Sequence, residues 1–465
     1  MRAVAVGVAL GLVVVAGVGG VAAQSAGVDQ EVTVLTLREA LERASQFNPQ
    51  YRQALNRMEL EGPQRREAWG AFLPDLRVSY GTSQRFSRQR TAVDFFGNPI
   101  DNEVIRTITT SNSSHSASAG LDLFRGGERF HGFQRAQAQA RVERLSAERD
   151  LNTVLAEVQG HFVVAQRQKA RLAVEEELLV SRERDYQVAE QRFELASIGR
   201  SDLYAANLDL EQQRLAVREA RGQAEKAMLA LRRAIGDRSL RLVDVDQQLP
   251  QPFDPVGLDV AALVQRAVEQ SPRVGAAEAA RSVTQSELGS ARASRWPSLS
   301  LNSNFYGGAS GSERSALFDL DTGDFYATFG LNVSIPLFTR FQTSRQIASA
   351  SVNLRNAGEE VRAAELQLEE EVTGAYVDLE TAWANVRLQE TVLEVARERL
   401  RIVEEEYRLA TKGIEDLRAA IREEAEAQRD LVQQRFEFAA ALLQLHTAAG
   451  IVAEEAGLST TREQD

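Results

Sequence analysis

The sequence predicts a mixed α/β membrane protein of two tandem repeats, each joining a pair of lipid-compatible β-strands to a long coiled helical hairpin. Three observations carry this prediction. The stretch RFELASIGRSDL, Arg192 to Leu203, returns as EYRLATKGIEDL, Glu406 to Leu417, with Phe193 and Tyr407, Leu195 and Leu409, Gly199 and Gly413, and Asp202 and Asp416 all separated by 214. About 70 residues before each copy run without proline, roughly 105 Å if continuously helical at 1.5 Å per residue. Ahead of each long run, apolar and polar residues alternate, the period of a strand wetted on one side.

Composition narrows the class further. Ten prolines in 465 residues, with abundant Ala, Glu, Gln, Arg and Leu, favour long helices over a loop-rich fold. No cysteine is present, which excludes a disulfide framework, thiol catalysis and lipid attachment at an N-terminal cysteine. A net charge of −12 leaves no footprint for nucleic acid. Residues 1–23 read as a signal peptide: Arg2, then the apolar run from Ala3 to Val18, then Val21-Ala22-Ala23 as a cleavage site. No other stretch reaches the roughly 18 apolar residues that a spanning helix needs.

The first repeat is expected over 24–236. It opens with a helix from Thr36, broken at Asn48-Pro49, where proline removes a donor and restricts its predecessor. The second repeat, 259–450, opens the same way and breaks at Ser271-Pro272, 223 residues on. Each opening helix turns at a proline, Pro74 or Pro297, into a strand pair, 75–88 with 107–124 and 298–308 with 325–338. In the second pair Phe325, Ala327, Phe329, Leu331, Val333, Ile335 and Leu337 hold every other position. Between the strands, Ser87 to Arg106 and Ala309 to Asp324 are rich in Gly, Ser, Asp and Asn and read as long loops. The strand-to-helix distance differs by nine between the repeats, which accounts for the change of offset from 223 to 214.

Long helices are expected over 126–197 and 339–411, and return helices of about half that length over 201–236 and 415–450. One heptad position holds Leu151, Val158, Ala165, Leu172, Leu179, Tyr186 and Phe193, and its counterpart holds Val372, Leu379, Val386, Leu393, Leu400 and Tyr407. A sustained seven-residue repeat makes helices coil around partners. Companion positions such as Glu175, Glu176 and Arg182 are charged, so the seam is narrower than in an isolated zipper. The rest of each long helix needs a further neighbour, and the opening helix has a suitable length to stack end to end with the return helix. Residues 237–258, with Leu240, Leu242 and Val245 followed by Pro250, Pro252 and Pro255, form a short strand and connector, and 451–465 a mobile tail.

Catalysis finds little support. His115, His131, His161 and His446 lack metal-ligand spacing, Gly126-Gly127 precedes no phosphate-loop lysine, and the many carboxylates suit solvated helix faces. No enzyme activity, metal or cofactor is expected. Four strands cannot close a transmembrane barrel, since about eight is the smallest closed number and open edges are not tolerated in hydrocarbon. If they span a bilayer the chain must oligomerise, with its helices continuing the barrel as a tube.

In the order and spacing of these parts, the LFRGG and PLF strand ends and the two tip motifs, the sequence resembles the TolC-type outer membrane efflux family over nearly the whole mature chain. The resemblance implies a homotrimer in the cell outer membrane, with a 12-stranded β-barrel, four strands per chain, continued by an α-helical coiled-coil tunnel in the periplasm and a belt at 237–258. It implies a passive duct in a tripartite efflux pump, with a periplasmic adaptor, an inner-membrane pump and outer membrane lipid as partners, or in some members the duct of type I protein secretion. A periplasmic coiled-coil scaffold without a pore is the remaining alternative, which the alternating 325–337 segment opposes. By the same resemblance Ala196, Ser197, Ile198, Gly199, Ala410, Thr411, Lys412 and Gly413 meet adaptor hairpins, and Asp202, Tyr407, Lys412 and Asp416 constrict the entrance. On the residues alone, Gly199 and Gly413 permit left-handed turns, and Asp202 and Asp416 supply favourable charge at helix N-termini.

Overall fold

The structure, a computed structural model, describes residues 33–89, 96, 106–241, 243–311, 325–409 and 411–450. The expected signal peptide and tail, most of both interstrand loops, Leu242 and Ala410 lie outside the described residues. In chain order the elements are β1 (Thr33–Leu35), α1 (Leu37–Phe47), α2 (Pro49–Met58), α3 (Glu61–Gly70), β2 (Asp75–Gln89), β3 (Arg106–Arg125), α4 (Glu128–Glu194) and α5 (Arg200–Ile235). Then follow β4 (Val243–Val245), α6 (Val260–Gln270), α7 (Pro272–Ala293), β5 (Ser298–Gly311), β6 (Tyr326–Ser334), α8 (Gln342–Arg408) and α9 (Ile414–Ala448).

Caps explain the breaks in the opening helices. The Asn48 side chain accepts from the amides of Gln50 and Tyr51 to start α2 while its Nδ2 donates to the Ala234 carbonyl at 2.7 Å. Ser271 caps α7 in the corresponding place, its hydroxyl accepting from Val274. Each proline that follows occupies the first helical turn, where its missing donor costs nothing.

The long helices start later than the sequence suggests. Gly126 and Gly127 have φ of 61° and 88°, and Arg340 and Phe341 have φ of 51° and 64°, so helical geometry begins only at Glu128 and Gln342. At Gly126 a Cβ would come within 2.4 Å of the Ala293 carbonyl oxygen, so only glycine fits between strand and helix. Strand β6 stops at Ser334, short of 338, because Pro336 has no amide to donate.

The four long strands form one antiparallel sheet in the order β2-β3-β5-β6. Directly opposed residues share a face: Val78, Ala117 and Phe305 with Ala327 lie on one side, and Ser79, Ser116 and Tyr306 with Tyr326 on the other. Leu76, Val78, Phe305, Phe329, Leu331 and Val333 make the first face apolar and exposed. The opposite face carries Arg77, Ser79, Ser118, Asn302 and Asn304. A register shift between Asp122 and Phe124 puts Phe124 opposite Leu299, on the apolar side. His115 also belongs there; its imidazole lies over Gly307, where a Cβ would sit 2.2 Å from Nε2. Strands β2 and β6 are the two edges, each paired on one side only among the described residues.

Sequence reading missed β1, which pairs in parallel with β4, Thr33 opposite Val243. Leu35 and Val245 from this ribbon pack with Leu41 and Ala44 of α1, Val154, Leu155, Val158 and Phe162 of α4, and Leu231 and Ile235 of α5. Near this core the seam of α4 widens beyond one heptad position, because several elements surround the helix. In α8 the seam is regular, with Val372, Leu379, Val386 and Leu393 joined by Ala375, Ala382 and Ala396 and packed with Ala267 of α6, Val274 of α7 and Leu431, Phe438 and Leu445 of α9. No helix among the described residues is long and apolar enough to cross a membrane.

Phe438 of α9 is fully buried and meets Phe253 of the connector edge to face, centroids 5.7 Å apart. Truncation Phe438→Ala is expected to cost about 3–5 kcal/mol, read as a lower urea midpoint for the detergent-solubilised protein.

Candidate functional site

The two hairpin tips stand side by side at one end of the helices. At the first, the Ser197 amide donates to the Arg192 carbonyl at 2.8 Å, a six-residue closure that places Ala196 at φ 52°. At the second, the Thr411 amide donates to Glu406 at 2.9 Å, and the Thr411 hydroxyl reinforces the bond to the same carbonyl. The left-handed residue at the first tip is therefore Ala196 and not Gly199. A left-handed alanine costs about 1–2 kcal/mol, and the six-residue closure compensates part of it.

Gly199 and Gly413 are extended instead, with φ/ψ of −77°/162° and −81°/166°, and each precedes a return helix as its N-cap. The Gly199 amide donates to Asp202 Oδ2 and the Gly413 amide to Asp416 Oδ2, both at 3.3 Å. Both aspartates thus satisfy an orphan donor at a helix start and place negative charge at its positive end. Ser197, Thr411 and Lys412 are exposed, and Ile198 is half-buried.

The structure brings Tyr407 to Arg192 rather than to Asp202. Arg192 Nη1 donates to the Tyr407 hydroxyl at 3.0 Å and its guanidinium carbon lies 5.4 Å from the ring centre. Asp202 and Tyr407 line one cavity of about 280 Å³ between the tips, walled also by Ile198, Ile414, Leu417 and Ile421. The cavity walls partly desolvate the carboxyl of Asp185, which keeps 46% of its side chain exposed, and push it above the usual aspartate range despite Arg182 at 3.5 Å. Lys412 and Asp416 are not among its lining residues.

Above the tips, side chains that sequence reading did not single out for a site fasten one hairpin to the other. Arg418 of α9 reaches Asp209 of α5 at 2.6 Å, and both are largely shielded from solvent. Higher up, Arg429 of α9 holds Glu175 of α4 through Nε and Nη2, each at 2.8 Å, while Gln213 Nε2 of α5 donates to the same carboxylate at 2.7 Å. Glu175 is buried, so it is not the solvated charge that its place beside the seam suggested. Burial raises its pKa, but the hydrogen bonds from Arg429 and Gln213 outweigh burial and hold it below the usual glutamate range. Val174 and Leu178 of α4 pack beside this clamp against Ala425 and Val432.

A sequence signal for these clamps exists in the divergence of the repeats. The counterparts of Arg418 and Arg429, 214 residues earlier, are Tyr204 and Leu215, so the cations occur on α9 alone.

A clamp whose carboxylate has a depressed pKa stabilises the folded chain above the ordinary glutamate pKa and is lost as pH falls through the lower, folded value. Arg429→Ala is expected to cost about 3–5 kcal/mol at neutral pH by stranding a buried carboxylate. The double change with Glu175→Gln should recover much of that loss, and the wild-type advantage should fade below about pH 4, both followed by urea unfolding.

The sequence profile described as outer membrane efflux protein matches residues 24–237 and 263–451. Protein CyaE of Bordetella pertussis is 27% identical over 357 residues, covering 76% of this chain and 70% of that protein. Among solved structures, CusC aligns with a TM-score of 0.72 at 19% identity, covering 89% of this chain and 91% of that one. The Campylobacter jejuni CmeC outer membrane channel aligns at 0.71 and 17% identity, covering 92% and 87%. At such identities the structural likeness shows the fold.

Proposed function

Because the chain belongs to the outer membrane efflux protein family, we propose that three copies close into one duct, the outer membrane component of a tripartite efflux pump. The observation that carries this reading is a pair of unsatisfied edges at both levels of the molecule. The sheet ends at β2 and β6, and backbone groups at an open edge are not tolerated in hydrocarbon. The helical body likewise ends at α5 and α8, each apolar on two opposite sides. Helix α5 buries Leu210, Val217, Ala224 and Leu231 yet exposes Leu208, Leu215 and Leu229 at multiples of seven residues. Helix α8 exposes Leu388, Val395 and Ile402 at the same spacing, continued by Leu409 just past its end.

The duplication supplies the partner for each exposed stripe. Leu388 and Val392 of α8 are the counterparts, 214 residues on, of Val174 and Leu178, which α4 packs against α9. The same contact carried through the repeat joins α8 to α5, and within one chain those helices are the two outer ones. A copy of the chain brings them together, and head-to-tail contacts that close make a ring. Three copies give the 12 strands that the family resemblance implies.

In this ring the tips meet a periplasmic adaptor, and Asp202, Tyr407, Lys412 and Asp416 surround the entrance, where a repeated acidic side chain concentrates cations. The duct is passive and takes its substrates from an inner-membrane pump. A deletion strain distinguishes efflux duty, seen as sensitivity to toxic small molecules, from type I secretion, seen as loss of an exported protein.

The cysteine-free chain makes the ring directly testable. Leu215→Cys together with Leu388→Cys, treated with a short bismaleimide in outer membranes, should give bands of two and three linked chains; only monomers would reject the α5 to α8 contact. Tip roles separate from folding because Gly413 is extended and a Cβ there would meet only Asp416 Oδ2 at 3.9 Å. Gly413→Val, a weaker N-cap, should cost no more than about 1 kcal/mol while weakening crosslinking to the adaptor. Asp416→Asn keeps an oxygen for the Gly413 amide but removes the charge, so it should shift the reversal potential of reconstituted channels in a salt gradient.

A further inference from the structure

We propose that the helix-proximal rim of the sheet is a collar that binds anionic phospholipid headgroups of the periplasmic leaflet, a reading that rests on the outer membrane placement of the sheet. The apolar face does not end with the strands. Beyond β6, Leu337 and Phe338 are exposed, and Phe341 follows at the start of α8. Trp69 near the end of α3, Phe130 at the start of α4 and Trp296 just after α7 are exposed at the same junction. Indole and phenyl rings at the boundary between an apolar band and a wet helical body are the composition of a membrane interface.

Charge decides which lipid meets these rings. Arg65, Arg66, Arg292, Arg295, Arg340 and Arg345 are exposed at this level. None of the six has a side-chain hydrogen bond or ion pair with a carboxylate among the described residues, in a chain whose net charge is −12. From Phe325 to Gly358 no Asp or Glu occurs, although the chain holds 66 acidic residues against 54 Lys and Arg. Free guanidinium groups flanking an aromatic girdle match phosphate diesters with net negative charge, through fork-shaped donors and the attraction of an anionic surface. A neutral headgroup offers the rings the same apolar depth but gives the cations no net attraction. The polar tips lie a full long helix away, so this preference belongs to the rim alone.

Tryptophan quenching tests the proposal in the full chain, since two of its three tryptophans, Trp69 and Trp296, sit in the collar and Trp383 packs against the core of the second hairpin. The Trp383→Phe protein, reconstituted in phosphatidylcholine, would receive either brominated phosphatidylglycerol or brominated phosphatidylcholine at equal mole fraction. About threefold stronger quenching by the anionic lipid is expected at low salt, declining as ionic strength rises. Changing all six of Arg65, Arg66, Arg292, Arg295, Arg340 and Arg345 to Gln should bring the ratio close to one without weakening quenching by the neutral lipid. Equal quenching before any arginine is changed would overturn the proposal, as would a preference that survives the six substitutions. Quenching by neither lipid would overturn it and also remove the rim from the bilayer, a separate failure of the outer membrane placement.

Discussion

The structure depends on one constraint: backbone donors and acceptors that enter hydrocarbon must be paired within protein. The four long strands among the described residues cannot meet it alone, because β2 and β6 each keep one edge open. The protein is an outer membrane efflux family member, and its sheet has one apolar and one polar face, as a barrel wall requires. The helices repeat the situation in water with a milder penalty. Their two outer members expose heptad stripes that packing within the chain does not cover, and hydrophobic burial rather than backbone pairing drives closure there. Both halves of the molecule thus ask for the same neighbour.

Duplication explains why one chain can supply surfaces for both sides of each contact. In the proposed ring, the contact of α4 with α9 inside the chain would have its counterpart in a contact of α8 with α5 between chains. The halves diverged where their surroundings differ. Inside the chain, Arg418 and Arg429 have acidic partners in Asp209 and Glu175, whereas their counterparts Tyr204 and Leu215 are exposed on the stripe that the proposed ring would cover. A buried ion pair adds little stability over a hydrophobic pair of similar shape, but it penalises every register except its own. In a pair of hairpins with few large side chains between them, such penalties set which height on one hairpin meets which height on the other.

Much of this was legible from residue periods. Strict alternation from Phe325 to Val333 marked a two-faced strand, and seven-residue spacing from Val372 to Leu393 marked the seam of α8. Asn48-Pro49 and Ser271-Pro272 marked helix breaks because capping and proline chemistry are local. What escaped was decided by partners distant in the chain. Three-residue β1 has no period to recognise, and only Val243 to Val245 make it a strand. Glu175 read as solvated until Arg429, 254 residues away, enclosed it. Glycine spacing suggested Gly199 as the left-handed residue, but the Asp202 side chain captured its amide and the turn fell on Ala196.

The most direct test of the account is the native mass of the particle extracted from isolated outer membranes in mild detergent. Closure of open strand edges and helix stripes by copies of the same chain predicts a particle of three chains that resists dissociation until the helices unfold. A stable monomer carrying the full strand content would contradict it, since four strands would then satisfy their edges without a second copy.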